Sequence, residues 1–266
     1  QALWLANELY DDPSLMKRAT STSVDPNVLG SLLNVALAMA VPQLFTDRPL
    51  FPKAILLGLM GVMGVGLMLT VSRSAMVGVA AAVLVISLMR YRKLLILFVL
   101  ALVLVLFLPW TQGIVEHFIE GVQREDLSTK MRMGEYKDTF RLIRRYPFLG
   151  VGFAGAPDID IYVAVASLYL LVAAQMGLTG LVAFLAVLGV VLWRFWRHHQ
   201  AVRTMPDLEP LWYGLHAAII GGAVSGIFDH FFFSLDFHHS VTLFWLLIGL
   251  ATAATERVVR RVRRKS

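Results

Sequence analysis

The chain has 266 residues, of which 58% are apolar and only 16% charged, against roughly a quarter charged in soluble domains. Its formal charge is +6 and it has no cysteine, which excludes disulfides, thiolate metal sites and cysteine nucleophiles. The basic residues sit in short segments between long apolar runs and no nucleic-acid motif accompanies them, so they read as membrane loops and not as a nucleic-acid surface. The expectation is an all-α, polytopic transmembrane helix bundle forming a single membrane domain. The chain opens inside what reads as a loop and shows no signal peptide, as a piece of a longer protein would.

Seven apolar segments have spanning length, at about 27–45, 53–71, 74–90, 93–110, 161–194, 211–233 and 239–255. The fourth, KLLILFVLALVLVLFLP at 93–109, is apolar all round and suits lipid better than a globular core. DRPLFPK at 47–53, RYRK at 90–93, RFWRHHQAVR at 194–203 and the tail RVVRRVRRKS carry the intervening charges. Placing the basic tail from Arg257 in the cytoplasm puts 194–210, 90–93 and 46–52 inside as well, and the 111–160 loop outside. The run 161–194 would make a helix of about 50 Å, too long for one span of about 30 Å. Gly177 and Gly180 interrupt it, so 161–176 is expected to be a half-inserted helix lining a cavity and 178–194 a true span.

This orientation gathers unusual chemistry on one face. Arg73 sits in a minimal turn, TVSRSA. It either snorkels to headgroups or binds phosphate bidentately. STKMRMGEYKDTFRLIRRYP predicts a helix over 128–146, stopped by Pro147. Met133, Tyr136, Phe140 and Ile143 form its apolar stripe, and Lys137, Arg141, Arg144 and Arg145 a basic one, as in an interfacial helix that touches membrane lipids. GVGFAG at 150–155 matches GxGxxG, but no strand precedes it and no helix follows, so it reads as a glycine turn. Asp229 and His230, in GIFDHFFF, form an ionisable pair near the outer end of a span, either a base with its orienting acid or an interfacial pair satisfied by neighbours. His238 and His239 lie in the outer turn without the spacing of a zinc motif. Glycines at 58, 61, 64 and 66, and the pair Gly222 and Gly226, are expected at helix contacts.

In order along the chain, four segments carry a resemblance: STSVDPNVLGSLL (21–33), TVSRSAMVG (70–78), MRMGEYKDTFRLIRRYPFLGVGFAG (131–155) and SLYLLVAAQMGLTGL (167–181). Together they resemble the O-antigen ligase and O-antigen polymerase family, with residues 20–195 as the motif-bearing core. The resemblance implies a GT-C-like fold in the bacterial inner membrane, lacking N-terminal spans, with its active face extracytoplasmic. It implies a glycosyltransferase without metal or cofactor. The donor would be an undecaprenyl-pyrophosphate-linked glycan, and the acceptor a lipid or glycan hydroxyl. Arg73 and Arg132 match the family's two functional arginines, with Arg141 as a further pyrophosphate ligand. Where the family's ligases carry His-Asn, this chain has Ala166 and Ser167, so a transferase here needs another base or a different mechanism. Asp229 and His230 are the candidates, with Asp158 and Asp160 beside them. A transporter of a small anion, and a non-catalytic member that only holds lipid-linked glycan, are the alternatives.

Overall fold

The computed structural model describes residues 18–20, 23, 25–107, 112, 113, 115, 119, 127–153 and 165–264. Among these residues there is helix and no strand. Helix α1 (Pro26–Ala40) starts where Asp25 caps it, its carboxylate accepting from the amides of Asn27 and Val28, with Pro26 at the position where a missing N–H does no harm. It ends in a 3-10 turn, Val41–Phe45, which contains Pro42. Then follow α2 (Lys53–Thr70), α3 (Arg73–Met89), α4 (Arg92–Phe107), α5 (Leu127–Arg145), α6 (Leu168–Val202) and α7 (Glu209–Ser225). A short 3-10 turn, Leu235–Phe237, leads into α8 (His238–Arg263).

Helices α1, α3 and α7 form the tightest part of the bundle. Small residues let their backbones meet. A Cβ on Gly78 of α3 would lie 2.7 Å from the Gly221 carbonyl of α7, and one on Gly30 of α1 would lie 2.8 Å from Ala75 Cβ. The fully buried Asn34 side chain is wedged between Gly78 and Gly221. Around this centre an aromatic core runs along α6, α7 and α8. Phe195, Trp212 and His216 stack near one end, and Phe184, Phe232 and Phe244 lie toward the other.

Four helical stretches are long and apolar enough to cross a membrane: Pro26–Phe45, Lys53–Thr70, Leu168–Val202 and Leu235–Arg263, with Arg73–Met89 a shorter apolar helix. Many of the apolar side chains of α2, α4 and α6 face outward, as they would toward lipid. The chain is thus a multi-pass membrane protein.

Four expectations change. The basic stretch 194–203 is no loop, because α6 continues through Val202. Residues 178–202 alone span about 37 Å at 1.5 Å per residue. The segment 211–233 is not one helix. Helix α7 stops at Ser225, and residues 226–234 form turns whose carbonyls serve a neighbouring helix end. Gly58, Gly61 and Gly64 make no close contact, because α2 is peripheral; of that set only Gly66 meets a neighbour, Leu33. Gly222 and Gly226 do pack, against Phe244 and Phe232 and against Leu168. Phe140 leaves the apolar stripe of α5. It is 53% exposed, while Thr139 and Leu142 are buried, because the face that packs is the one running from Arg132 through Glu135, Thr139 and Leu142.

At the end of the bundle where α3 stops and α7 begins, charged pairs join helix termini. Arg90 grips Glu209, which is nearly buried. Arg194 pairs with Glu256, and Arg261 with Asp207 at 2.8 Å. Arg203 donates to the Met89 carbonyl.

Candidate functional site

The opposite end of the bundle is built on the two-residue turn between α2 and α3. Val71 there has φ 50° and ψ 32°, a left-handed conformation that a β-branched side chain rarely adopts. The Thr70 hydroxyl donates to the Leu67 carbonyl at 2.7 Å and accepts from the Ser72 amide at 3.2 Å, which holds the turn. Arg73 is therefore the first residue of α3, where the helix dipole favours an anion. Ser72 and Ser74 exchange a hydroxyl bond at 3.2 Å, and Ser74 donates to Asp229 Oδ2 at 3.0 Å. The other Asp229 oxygen accepts from the His230 amide at 2.8 Å. The N-terminus of α3 is thereby tied to the 226–234 connection.

Helix α5 closes over the same connection. Arg132 donates to the Phe228 carbonyl at 3.0 Å. One turn along the same face, Glu135 Oε2 accepts from the Ala166 amide at 3.2 Å, and the Tyr136 hydroxyl donates to the Ala166 carbonyl at 3.1 Å. Both groups meet the chain where the family resemblance leads one to expect a histidine.

Arg18 is the third arginine here. Its Nε donates to the Thr70 carbonyl and its Nη2 to Asn27 Oδ1, both at 2.7 Å, so neutral acceptors hold it. Burial lowers its pKa. Asp25 and Asp229 oppose that shift, and the charges of Arg132 and Arg73 add to it. Three guanidiniums thus sense one another at one end of the bundle.

Burial also sets the acids and the histidine. It pushes the Asp229 carboxyl up to about 7, against the pull of Arg132. It lowers the His230 imidazole to about 4. The two side chains do not make the hydrogen bond of an acid orienting a base. His230 Nδ1 lies 3.6 Å from Asp229 Oδ1 and is buried with no hydrogen-bond partner among the described residues. Glu135, half-buried, is raised chiefly by burial, with the Ala166 amide and Arg132 opposing.

Of the residues singled out in the sequence, Arg73, Arg132, Asp229 and His230 come together. Arg141 does not join them. It stands nine residues beyond Arg132, about 13.5 Å along the helix and on the opposite side, 73% exposed and paired with Asp138 at 2.8 Å. His238 and His239 open α8. Asp158 and Asp160 lie outside the described residues. Sequence reasoning missed Arg18, Ser74 and Glu135. Glu135 had a signal, since it follows Arg132 by three residues and must share its helix face. Arg18 had none beyond lying just ahead of the 21–33 motif.

The expected break in the long apolar run is also present. Gly177 has φ 70° and ψ −178° inside α6, a region open only to glycine. The break frees backbone groups of α6, and the loop after α5 takes them up. Val151 and Gly152 donate to the carbonyls of Ala174 and Gln175 at 2.8 and 2.9 Å, and Leu178 donates to the Pro147 carbonyl at 2.8 Å. Gly150 and Gly152, both at positive φ, bend the loop into place. Gly150 and Gly152 of GVGFAG serve this docking, which replaces helix hydrogen bonds where lipid offers none.

Residues 58–185 match the family model described as O-antigen ligase. They form an O-antigen ligase domain. The domain runs from within α2 into α6 and so contains Arg73, Arg132, Glu135, the 147–152 loop and the Gly177 break. No curated protein matches the chain. An O-antigen ligase domain implies ligase- or polymerase-type chemistry on lipid-linked glycans. In this chain Arg18, Asp229 and His230 come from outside the O-antigen ligase domain and complete the same end of the bundle.

Proposed function

We propose that the chain transfers a glycan from an undecaprenyl-pyrophosphate-linked donor to an acceptor hydroxyl, in the synthesis of cell-surface polysaccharide. The observation that carries this reading is the convergence of Arg18, Arg73 and Arg132 at one end of a membrane bundle that contains an O-antigen ligase domain. A lipid pyrophosphate is a membrane-bound polyanion, and guanidiniums bind it bidentately where water is scarce. Arg73 adds the positive end of the α3 dipole.

The site is read as extracytoplasmic. The arginine-rich ends of α6 and α8 support reading the other end of the bundle as cytoplasmic. In transfer, the acceptor oxygen bonds to the anomeric carbon as the bond to pyrophosphate breaks. The arginines stabilise the charge that develops on the leaving group, an effect of about 3 kcal/mol for a single well-placed donor. Asp229 is read as a positioning residue, because both its oxygens are engaged and it is buried.

The test is transfer of labelled glycan from lipid-pyrophosphate donor in proteoliposomes. Arg73→Ala and Arg132→Ala should each lower transfer at least a hundredfold while the protein still inserts and melts normally. Arg18→Ala should weaken donor binding more than it weakens turnover at saturation. Wild-type rates in both Arg73→Ala and Arg132→Ala would sink the assignment. Solute counterflow in the same vesicles would point to transport instead.

A further inference from the structure

We infer that Glu135 is the general base that takes the proton from the acceptor hydroxyl. This rests on the transferase reading above and names the residue that completes it.

The carboxylates at this end of the bundle differ in how far their oxygens are already committed. Asp25 is committed to capping α1, its Oδ1 accepting the amides of both Asn27 and Val28. Asp229 has one oxygen on Ser74 and the other on the His230 amide, and only 5% of the residue is exposed. His230 has its Nδ1 buried. Glu135 is neither a helix cap nor engaged through both oxygens among the described residues. Among the described residues, one of its carboxylate oxygens has a single bond, to the Ala166 amide, and no arginine or lysine lies within ion-pair distance. It is only partly buried, and it projects from the same helix face as Arg132, one turn away.

Each of these features fits a base. A carboxylate locked in an ion pair is a poor proton acceptor, whereas one held by a single amide keeps a lone pair available and a fixed orientation. Partial burial makes it more basic than an exposed glutamate. The spacing from Arg132 places proton acceptance beside the leaving-group site without pairing the two charges. The Tyr136 hydroxyl and the Glu135 carboxylate together fix the 165–167 segment, so the base sits on a rigid wall.

In the step, the acceptor O–H proton moves to Glu135 as the acceptor oxygen bonds to the anomeric carbon. The carbon–oxygen bond to pyrophosphate breaks, and its electron pair stays on the lipid pyrophosphate beside Arg73 and Arg132. Glu135 then returns its proton to water.

Glu135→Gln separates this role from a purely structural one. The glutamine carbonyl still accepts the Ala166 amide, so a merely structural Glu135 predicts near wild-type transfer. A base predicts a loss of roughly 10²–10⁴-fold in turnover, with binding of the lipid-pyrophosphate donor and the thermal midpoint in detergent unchanged. Glu135→Ala should regain activity with added formate or azide, provided its thermal midpoint holds. Transfer by Glu135→Gln within fivefold of wild type would overturn the inference, as would lost donor binding in that variant with a normal melt. If the unaltered protein transfers no glycan at all, the transferase reading itself has failed, and the role of Glu135 falls with it.

Discussion

Asp229 illustrates how much one buried carboxyl does here. It joins Ser74 of α3 to the connection after α7, and burial holds its pKa far above that of an exposed aspartate. A raised pKa means that the native state binds the proton more tightly than the unfolded chain does. The contribution to stability is therefore complete below about pH 4 and is lost as pH rises through about 7. Thermal melts in detergent between these limits should fall with pH, and Asp229→Asn should flatten that fall. At the opposite end, the Arg90–Glu209 pair sits with Glu209 nearly buried. Removing only the cation leaves a stranded carboxylate, so Arg90→Ala should destabilise the protein by about 2–3 kcal/mol. The double variant Arg90→Ala with Glu209→Gln should recover part of that in the same melt.

At the scale of elements, the signature loop and the broken helix are one unit. Helix α6 can break at Gly177 only because the 147–152 loop supplies the missing hydrogen-bond partners. The loop can approach because neither partner has a side chain at the contact. A Cβ on Gly177 would lie 2.1 Å from the Phe148 carbonyl oxygen, and one on Gly150 would lie 2.5 Å from that of Ala174. Gly177→Ala should therefore disrupt the docking, with loss of folded protein by size-exclusion chromatography, whereas Gly61→Ala on the open side of α2 should be tolerated. The α2–α3 turn carries strain at a second element boundary. A non-glycine residue held in a sparsely populated backbone region costs on the order of 1–3 kcal/mol, and Val71 is such a residue. Val71→Gly should keep or raise the thermal midpoint. If the strain serves to fix Arg73, that variant should lose transfer activity without losing stability.

For the whole molecule, the two ends differ in chemistry. One gathers Arg18, Arg73 and Arg132, with Arg18 and Arg132 donating to neutral acceptors, and the other pairs Arg90, Arg194 and Arg261 with carboxylates. Such an arrangement suits a polyanionic ligand at the first end. The orientation is directly testable, because the chain has no cysteine and any introduced thiol is unique. Leu149→Cys, at a position 81% exposed in the docked loop, should react with a membrane-impermeant maleimide in intact spheroplasts. Arg264→Cys at the end of α8 should react only after permeabilisation. The reverse pattern would invert the topology and move the proposed site to the cytoplasm.

The membrane character, a helix ending before Pro147, the break at Gly177 and the placing of Arg73 and Arg132 at one end of the bundle were legible in the residues. Each follows from local signals: long apolar runs, a proline, a glycine in a run too long for one span, and side chains assigned to one face by charge parity. Other features depended on partners distant in sequence. The end of α7 at Ser225 reflects carbonyls of Gly226 and Asp229 bonding to the Leu168 amide, which no local pattern announces. Phe140 turns outward because α5 packs through Thr139 and Leu142, and only the neighbouring helices decide which of two plausible stripes is buried. Arg18 and Glu135 enter the site through contacts with Thr70 and Ala166 across long stretches of chain. Hydrophobicity and turn chemistry are properties of a segment, so sequence carries them. The surroundings of a carboxylate or a guanidinium belong to the packed bundle, and only the tertiary structure decides whether it caps a helix, pairs with a charge or is left with a lone pair to offer.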